Sequence, residues 1–338
     1  MPPPAKPAKS NPELEAAMAQ ARQVIGCDND RDYTKVREIW AREPQRSLQP
    51  AAIRDPSDYA GQERLSIACT QTDLPAKKQA ALVQQWCELL PTLTQVRWLY
   101  FMTRVPQPLF DAACRMPGLV GLYIKWSGIE SLEPLTRLRD LQYFHLGESA
   151  SVSSIAPLAQ MKSLKWLQLD GLRKIESLEP LRHLSTLEGL GFVSAESRVH
   201  VVDSFEPLSA LTRLQWLNLG PRPARLGLQP LHALKGLEYL GLPNKYSVHE
   251  FAELSLHVPA HVCERLQPFM RFHCSVFPCK TCQSNWLVLT SGKGSRLLCP
   301  TCDTEKLARH MIIFRKAVGA AQAAARSPSH DHGAGGSA

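Results

Sequence analysis

The sequence predicts an α/β repeat solenoid, in which short repeating units build a parallel sheet. Helices close its N-terminal end, and a small cysteine-bearing module follows it. Three observations carry this. The hexapeptide LKWLQL (164–169) recurs as VRWLYF (96–101), LQYFHL (141–146), LQWLNL (214–219) and LEYLGL (237–242). An amphipathic segment, PAKKQAALVQQWCELL (75–90), stands just before the first of these. Behind the last, CKTCQSNWLVLTSGKGSRLLCPTC (279–302) sets two C-x2-C pairs sixteen residues apart.

Ahead of the repeats, MPPPAKPAKS (1–10) is expected to be disordered, and no apolar stretch behind its lysines makes it a secretory signal. Residues 11–60 read as a helical N-terminal segment. NPELEAAMAQARQVIG (11–26) has helix-start chemistry in Asn11, Pro12, Glu13 and Glu15, with Gly26 as a stop, and YTKVREIWARE (33–43) reads as a second helix. CDNDRD (27–32) has the acidic spacing that opens a calcium loop. Tyr33 occupies the required glycine position and Ile39 the closing glutamate, which excludes one. Residues 61–92 are the N-terminal cap. RLSIACT (64–70) is its strand, and 75–90 its helix, with Pro75 near the first turn, where a missing N–H costs nothing.

Residues 93–256 hold about seven repeats. The frame L-x-x-L-x-x-L-x-L starts at Leu93, Met116, Leu138, Met161, Leu184, Leu211 and Leu234, at intervals of 23, 22, 23, 23, 27 and 23 residues. Alternating leucines in L-x-L point to one face of a short strand while their neighbours point to the other. Downstream phrases such as IESLEPL (129–135 and 175–181) have a three-residue apolar beat, which suits a helical or 3₁₀ return segment. One unit cannot bury its own leucines. Stacked units close a continuous core, with parallel strands along one side.

This frame resembles the leucine-rich-repeat family, in particular the 22-residue internalin type, over roughly half the chain. The resemblance implies a binding scaffold. The family's usual asparagine, three residues beyond the last strand leucine, is replaced here by Arg104, Ser127, Ser149, Leu172, Ala195, Arg222 and Lys245. The turns must therefore be satisfied in another way. The unit from Leu184 is longer than the rest, with AESRVHVVD (195–203) bulging between strand and return.

If the leucines face inward, the third letter of each phrase faces out of the sheet's concave side. That column reads Trp98, Gly121, Tyr143, Trp166, Gly189, Trp216, Tyr239, and its neighbour Tyr100, Tyr123, His145, Gln168, Gly191, Asn218, Gly241. Exposed aromatics in a row are what interface hot spots are made of. The expected partner-binding residues are Trp98, Tyr100, Tyr123, Tyr143, His145, Trp166, Gln168, Trp216, Asn218 and Tyr239. Gly189 and Gly191 are expected to leave a gap beside Trp166 for a partner side chain. The alternative is that these rings pack on one another and stiffen the sheet.

Residues 257–318 form a ribbon and a helix. Each C-x2-C turns tightly enough for both thiolates to share a metal, and two such knuckles give a tetrahedral S₄ set suited to Zn²⁺. WLVLT, the turn SGKG and SRLL read as a hairpin that brings the knuckles together. This resembles a zinc ribbon. Cys279, Cys282, Cys299 and Cys302 are the expected ligands of one structural zinc per chain, with no open position for catalysis. His261, Cys263, His273 and Cys274 lie upstream, but their spacing matches no standard ligand set. After Cys302, TEKLARHMIIFRKAV reads as a helix with Leu307, Met311, Phe314 and Val318 on one side, and 319–338 as a disordered, low-complexity tail.

The formal charge of +8 is uneven: Lys+Arg against Asp+Glu is 12 to 12 over 1–92, 17 to 15 over 93–256 and 10 to 4 over 257–338. Chain-wide affinity for nucleic acid is not implied; a local one at the basic ribbon is the alternative reading, and it is not favoured. No apolar run approaches the roughly 20 residues that span a bilayer. The remaining cysteines, Cys27, Cys69, Cys87 and Cys114, are scattered singly, as small buried hydrophobes of a cytoplasmic chain are. Catalytic grammar is missing: GESAS (147–151) lacks the final glycine of a nucleophile elbow, and SGKGS (291–295) the upstream glycine of a phosphate loop. The expectation is a non-enzymatic bacterial protein-interaction module with a protein or peptide partner, acting in the cytoplasm without a membrane. A secreted effector, with residues 1–20 as its export address, is a further alternative.

Overall fold

A computed structural model describes residues 11–23, 49–193, 200–273 and 276–326. The helix expected at 33–43, the CDNDRD stretch, Cys27, Cys274 and most of AESRVHVVD lie outside them. The described chain divides into two compact units, 49–243 and a second made of 11–23 with 244–326.

In the first unit, β1 (Arg64–Ile67), β2 (Trp98–Pro106), β3 (Gly121–Gly128), β4 (Tyr143–Leu146), β5 (Trp166–Asp170) and β6 (Gly189–Val193) follow one another in space. They continue, past a short two-stranded side sheet of β7 (Val201–Val202) and β9 (Arg222–Pro223), into β8 (Trp216–Leu219) and β10 (Tyr239–Gly241). All eight main-sheet strands pair parallel. The register reproduces the repeat alignment. Leu99, Leu122, Phe144, Leu167, Leu190, Leu217 and Leu240 are paired in sequence across seven strands and are fully buried. The leucine core expected from the alternation is therefore present.

The return segments are 3₁₀ turns, each with proline near its start: Glu133–Arg137, Ala156–Gln160, Glu179–His183, Glu206–Ala210 and Gln229–Ala233. Proline presets φ and has no N–H to leave unpaired at that position. The leucine after it (Leu135, Leu158, Leu181, Leu208, Leu231) is buried in every one. The first repeat, which lacks this phrase, returns instead through a helix, α3 (Gln107–Ala113), that buries Leu109 and Phe110. The missing asparagines are replaced in one place by serines: Ser127 Oγ and Ser149 Oγ lie 2.6 Å apart, and Ser149 donates to the Gly147 carbonyl at 3.1 Å. At the N-terminal end, β1 extends the sheet, and α2 (Ala76–Leu89) buries Leu82 and Trp86. The Trp86 indole N–H donates to the Arg54 carbonyl at 2.9 Å.

The second unit contains α1 (Pro12–Gln23), α4 (Val248–Leu254), an antiparallel sheet of β11 (Phe269–His273), β12 (Trp286–Thr290) and β13 (Leu297–Leu298), and α5 (Thr304–Arg326). The hairpin β12–β13 turns through Gly292 and Gly294, both at positive φ, at the SGKG expected to be a turn. Asn244 fastens that turn, donating to the Thr290 carbonyl at 2.8 Å and accepting from the Gly292 N–H at 2.7 Å. Its core joins Ala21 of α1, Phe269, Val288 and Leu298 of the sheet, and Leu307 and Met311 of α5. Two features differ from the sequence expectation. α5 continues to Arg326 rather than giving way to a tail at 319, because alanine-rich sequence propagates a helix once it is nucleated. Residues from Asn244 onward, α4 included, group with the ribbon, whereas the repeat pattern in the sequence runs to 256.

Candidate functional site

Two places are set apart by their chemistry: the non-leucine face of the main sheet and the four-cysteine end of the ribbon.

On the sheet, the register aligns both expected columns. Trp98, Gly121, Tyr143, Trp166, Gly189, Trp216 and Tyr239 are neighbours in turn, as are Tyr100, Tyr123, His145, Gln168, Gly191, Asn218 and Gly241. Their exposure corrects the sequence expectation. Trp98, Tyr143, Trp166 and Trp216 are 2–6% exposed, and Tyr100, His145 and Gln168 are buried as well; Tyr123, Asn218 and Tyr239 are half-buried. Trp98, Tyr100, Tyr143, Trp166 and Trp216 form a second apolar cluster on the side opposite the leucines, with Met102, Val120, Tyr123 and Tyr239 packed against it.

The glycines give the physical reason. A Cβ on Gly121 would be driven into the indole of Trp98, one on Gly189 into the indole of Trp166, one on Gly191 into the Gln168 amide and one on Gly241 into the Asn218 amide. Each large side chain leans over the next strand and fills the room its glycine leaves. The gap expected beside Trp166 is therefore taken by Trp166 and Gln168 themselves. Rings then meet across the sheet: Trp98 and Tyr143 at 5.1 Å, Trp216 and Tyr239 stacked at 5.3 Å, Tyr123 and His145 at 4.4 Å.

Polar groups thread this layer. His145 Nε2 lies 3.3 Å from Asp170 Oδ2, and the Gln168 amide donates to Asp170 Oδ1. Arg64 sits over the Trp98 ring at 5.1 Å and donates to the Tyr100 hydroxyl at 3.2 Å. Arg64 and Asp170 were missed by the hexapeptide reading. Asp170 lies two residues beyond Gln168, so extending the alternation by one step would have found it. Two buried atoms are left without a hydrogen-bond partner on either side of the glycine strand β6: Gln168 Oε1 on β5 and Trp216 Nε1 on β8.

At the ribbon, the structure brings together all four expected metal ligands. The sulfurs of Cys279, Cys282, Cys299 and Cys302 lie within 4.8 Å of one another, and Cys282 and Cys299 are 3.5 Å apart. An ideal tetrahedron with metal–sulfur bonds of about 2.3 Å has sulfur–sulfur edges of about 3.8 Å. Small adjustments would seat an ion. Cys299 is buried and Cys279 half-buried, while Cys282 and Cys302 face solvent.

The electrostatics of these thiols suits a cation. Backbone N–H groups of Cys282 and Thr281 pull Cys279 down to about 6, so it ionises readily. Burial pushes Cys299 up, and the neighbouring Cys282 sulfur pushes Cys302 up to about 12. Four thiolates this close repel one another, and a divalent cation between them removes that penalty. Among the described residues, no other group of three or more cysteines, histidines or carboxylates converges in this way. The scattered thiols behave as small hydrophobes: burial pushes Cys69 up to about 12 and raises Cys114 further. Among the described residues no helix is long and apolar enough to cross a membrane.

No protein-family model matches the sequence, and no curated protein does. Solved structures do match. Internalin C2 of Listeria monocytogenes is similar at 23% identity with a TM-score of 0.40, over 50% of this chain and 77% of that one. Internalin F of the same organism matches at 20% identity and a TM-score of 0.35, over 49% of this chain and 53% of its own. A leucine-rich-repeat protein of Leptospira interrogans matches at 16% identity and a TM-score of 0.35, over 61% and 68%. This chain is thus similar to leucine-rich-repeat proteins over about half of its length.

Proposed function

We propose that this protein is a non-enzymatic protein-interaction module that holds its partner on the concave face of the repeat sheet. The supporting observation is the pair of buried, unpartnered atoms that flank β6, the Gln168 Oε1 acceptor and the Trp216 Nε1 donor. A buried polar atom without a partner costs about 1–3 kcal/mol, and native cores avoid it. A peptide group laid along β6 would offer an N–H to one and a carbonyl to the other once the side chains that cover these atoms swing aside. Half-exposed Tyr123, Asn218 and Tyr239 would frame it, with the buried tryptophans as a rigid floor. The ribbon would then be a structural element, folded by one Zn²⁺ on Cys279, Cys282, Cys299 and Cys302. A closed S₄ shell leaves no position at which the metal could polarise a substrate.

Site-directed photo-crosslinking in the native host tests this reading. A crosslinker at Asn218 or Tyr239 should yield one protein adduct that a crosslinker at Arg137, on a return turn, does not. Gln168→Met keeps the side chain's shape and removes the orphan acceptor. It also removes the hydrogen bond to Asp170, so the adduct is compared at a temperature where circular dichroism shows the variant folded, and there it should be reduced. Adducts independent of position, or unaffected by Gln168→Met, would place binding elsewhere.

A further inference from the structure

The sheet buries its aromatics, and the ribbon exposes some. Trp286 is 49% exposed and Phe277 70% exposed, on either side of the first cysteine knuckle. His273 packs against Trp286 at 4.8 Å and 67°, which limits the ring's freedom without covering it. An aromatic held in place on a surface is a platform for stacking at little entropy cost.

Charge singles out the same module. Between Glu264 and Asp303 the sequence has five cations (Arg265, Arg271, Lys280, Lys293, Arg296) and no carboxylate. Even if a divalent ion with four thiolates adds two negative charges, 5 − 2 leaves an excess of three. Elsewhere in this unit three cations are paired: Lys306 with Asp303, Arg309 with Glu305 and Lys316 with Glu13. Lys280, Lys293 and Arg296 are exposed and form no ion pair among the described residues. The surface of a small domain normally mixes both signs. The stretch 265–302 supplies only cations, and Asp303 at the second knuckle, which accepts from the Cys299 N–H at 3.1 Å, is already paired with Lys306.

We infer that the ribbon is a second binding surface, separate from the sheet face, that takes single-stranded nucleic acid. Trp286 and Phe277 stack on bases, while Lys280, Lys293 and Arg296 neutralise phosphates. Cations alone would suit any polyanion; exposed rings on the same ribbon, with Lys280 in the knuckle between them in sequence and Arg296 opposite Thr290 farther along the hairpin, favour a polyanion that carries flat apolar groups. Duplex DNA, whose bases are already stacked on one another, offers these rings nothing.

Fluorescence anisotropy of labelled oligo-dT with the full-length, metal-replete chain tests the inference. Duplex DNA and phosphatidylserine-containing vesicles run in parallel. The single strand should bind at physiological salt and more weakly as salt rises. Its log–log slope should be about −2, from three phosphates at roughly 0.7 each. Trp286→Ala should weaken binding about 5- to 150-fold, and Trp286→Phe should restore most of it. Lys280→Gln with Arg296→Gln should flatten the slope by about 1.4. Metal content and circular dichroism establish that each variant is folded, and the lysine–arginine pair decides the matter if Trp286→Ala is not. Absence of single-strand binding, binding indifferent to these variants, or a preference for vesicles or duplex would overturn the inference.

Discussion

Trp166 lies across Gly189, its partner on the next strand, so closely that a methyl group there would overlap the indole. Trp98 and Gly121 repeat the arrangement at the other end of the sheet. Glycine inside a strand is ordinarily a weakness, because it loses more entropy on folding than alanine and packs nothing. Here it makes room for a neighbour. The alternation of large and absent side chains along the column is a packing rule written across strands.

Gly121→Ala should therefore destabilise the fold, against the usual gain from replacing a strand glycine. Overpacking a filled site typically costs about 1–3 kcal/mol. Denaturant melts of the mutant and wild type measure it, and a neutral or stabilising shift would show that the Trp98 ring can move aside freely.

Metal content checks the ribbon. Protein purified without added metal should carry close to one zinc per chain by elemental analysis, and Cys282→Ser should lose it. Because the knuckles hold both ends of the β12–β13 hairpin, chelation should also loosen the packing of Val288 and Leu298 against α5. Full zinc in the mutant would mean that the metal sits elsewhere.

Leu167→Asp and Gln168→Asp, side by side on β5, probe the two faces of one strand. Leu167→Asp puts a carboxylate into the leucine core and should cost several kcal/mol, comparable to a domain's whole stability. Gln168→Asp should also destabilise, because Gln168 is buried and its new carboxylate would stand near Asp170. Such a pair raises the pKa of its members in the folded state. Its share of the loss should be small below the unfolded carboxylate pKa near 4 and grow as pH rises above it. A wild-type-like melt for Gln168→Asp at neutral pH would mean that the second face is open to water.

Much of this was legible in the residues. The repeat interval placed all seven repeat strands, and the register of Leu167 against Leu190 follows from aligning the hexapeptides. The cysteine spacing found the four convergent sulfurs. The burial of Trp166 was not legible, because alternation states which face a side chain takes and not how far it leans along the sheet. The signal lay in Gly189, which stands in register with Trp166 in the sequence alignment itself. The docking of α1 on α5 was illegible for another reason. Glu13 and Lys316 form a pair at 3.2 Å across nearly the whole chain, and no local pattern encodes a contact of that range.

Whether the second face is one packed floor or a row of free rings is decided most directly by a double-mutant cycle on Trp166 and Gly189. Gly189→Ala alone should cost about 1–3 kcal/mol, through overlap with the indole. In a Trp166→Ala background that overlap is gone, and the same change should be neutral or stabilising. The coupling between the two sites should therefore exceed about 1 kcal/mol in chemical denaturation. Additivity within about 0.3–0.5 kcal/mol would contradict this, and would mean that the indole does not occupy the space above Gly189 in solution.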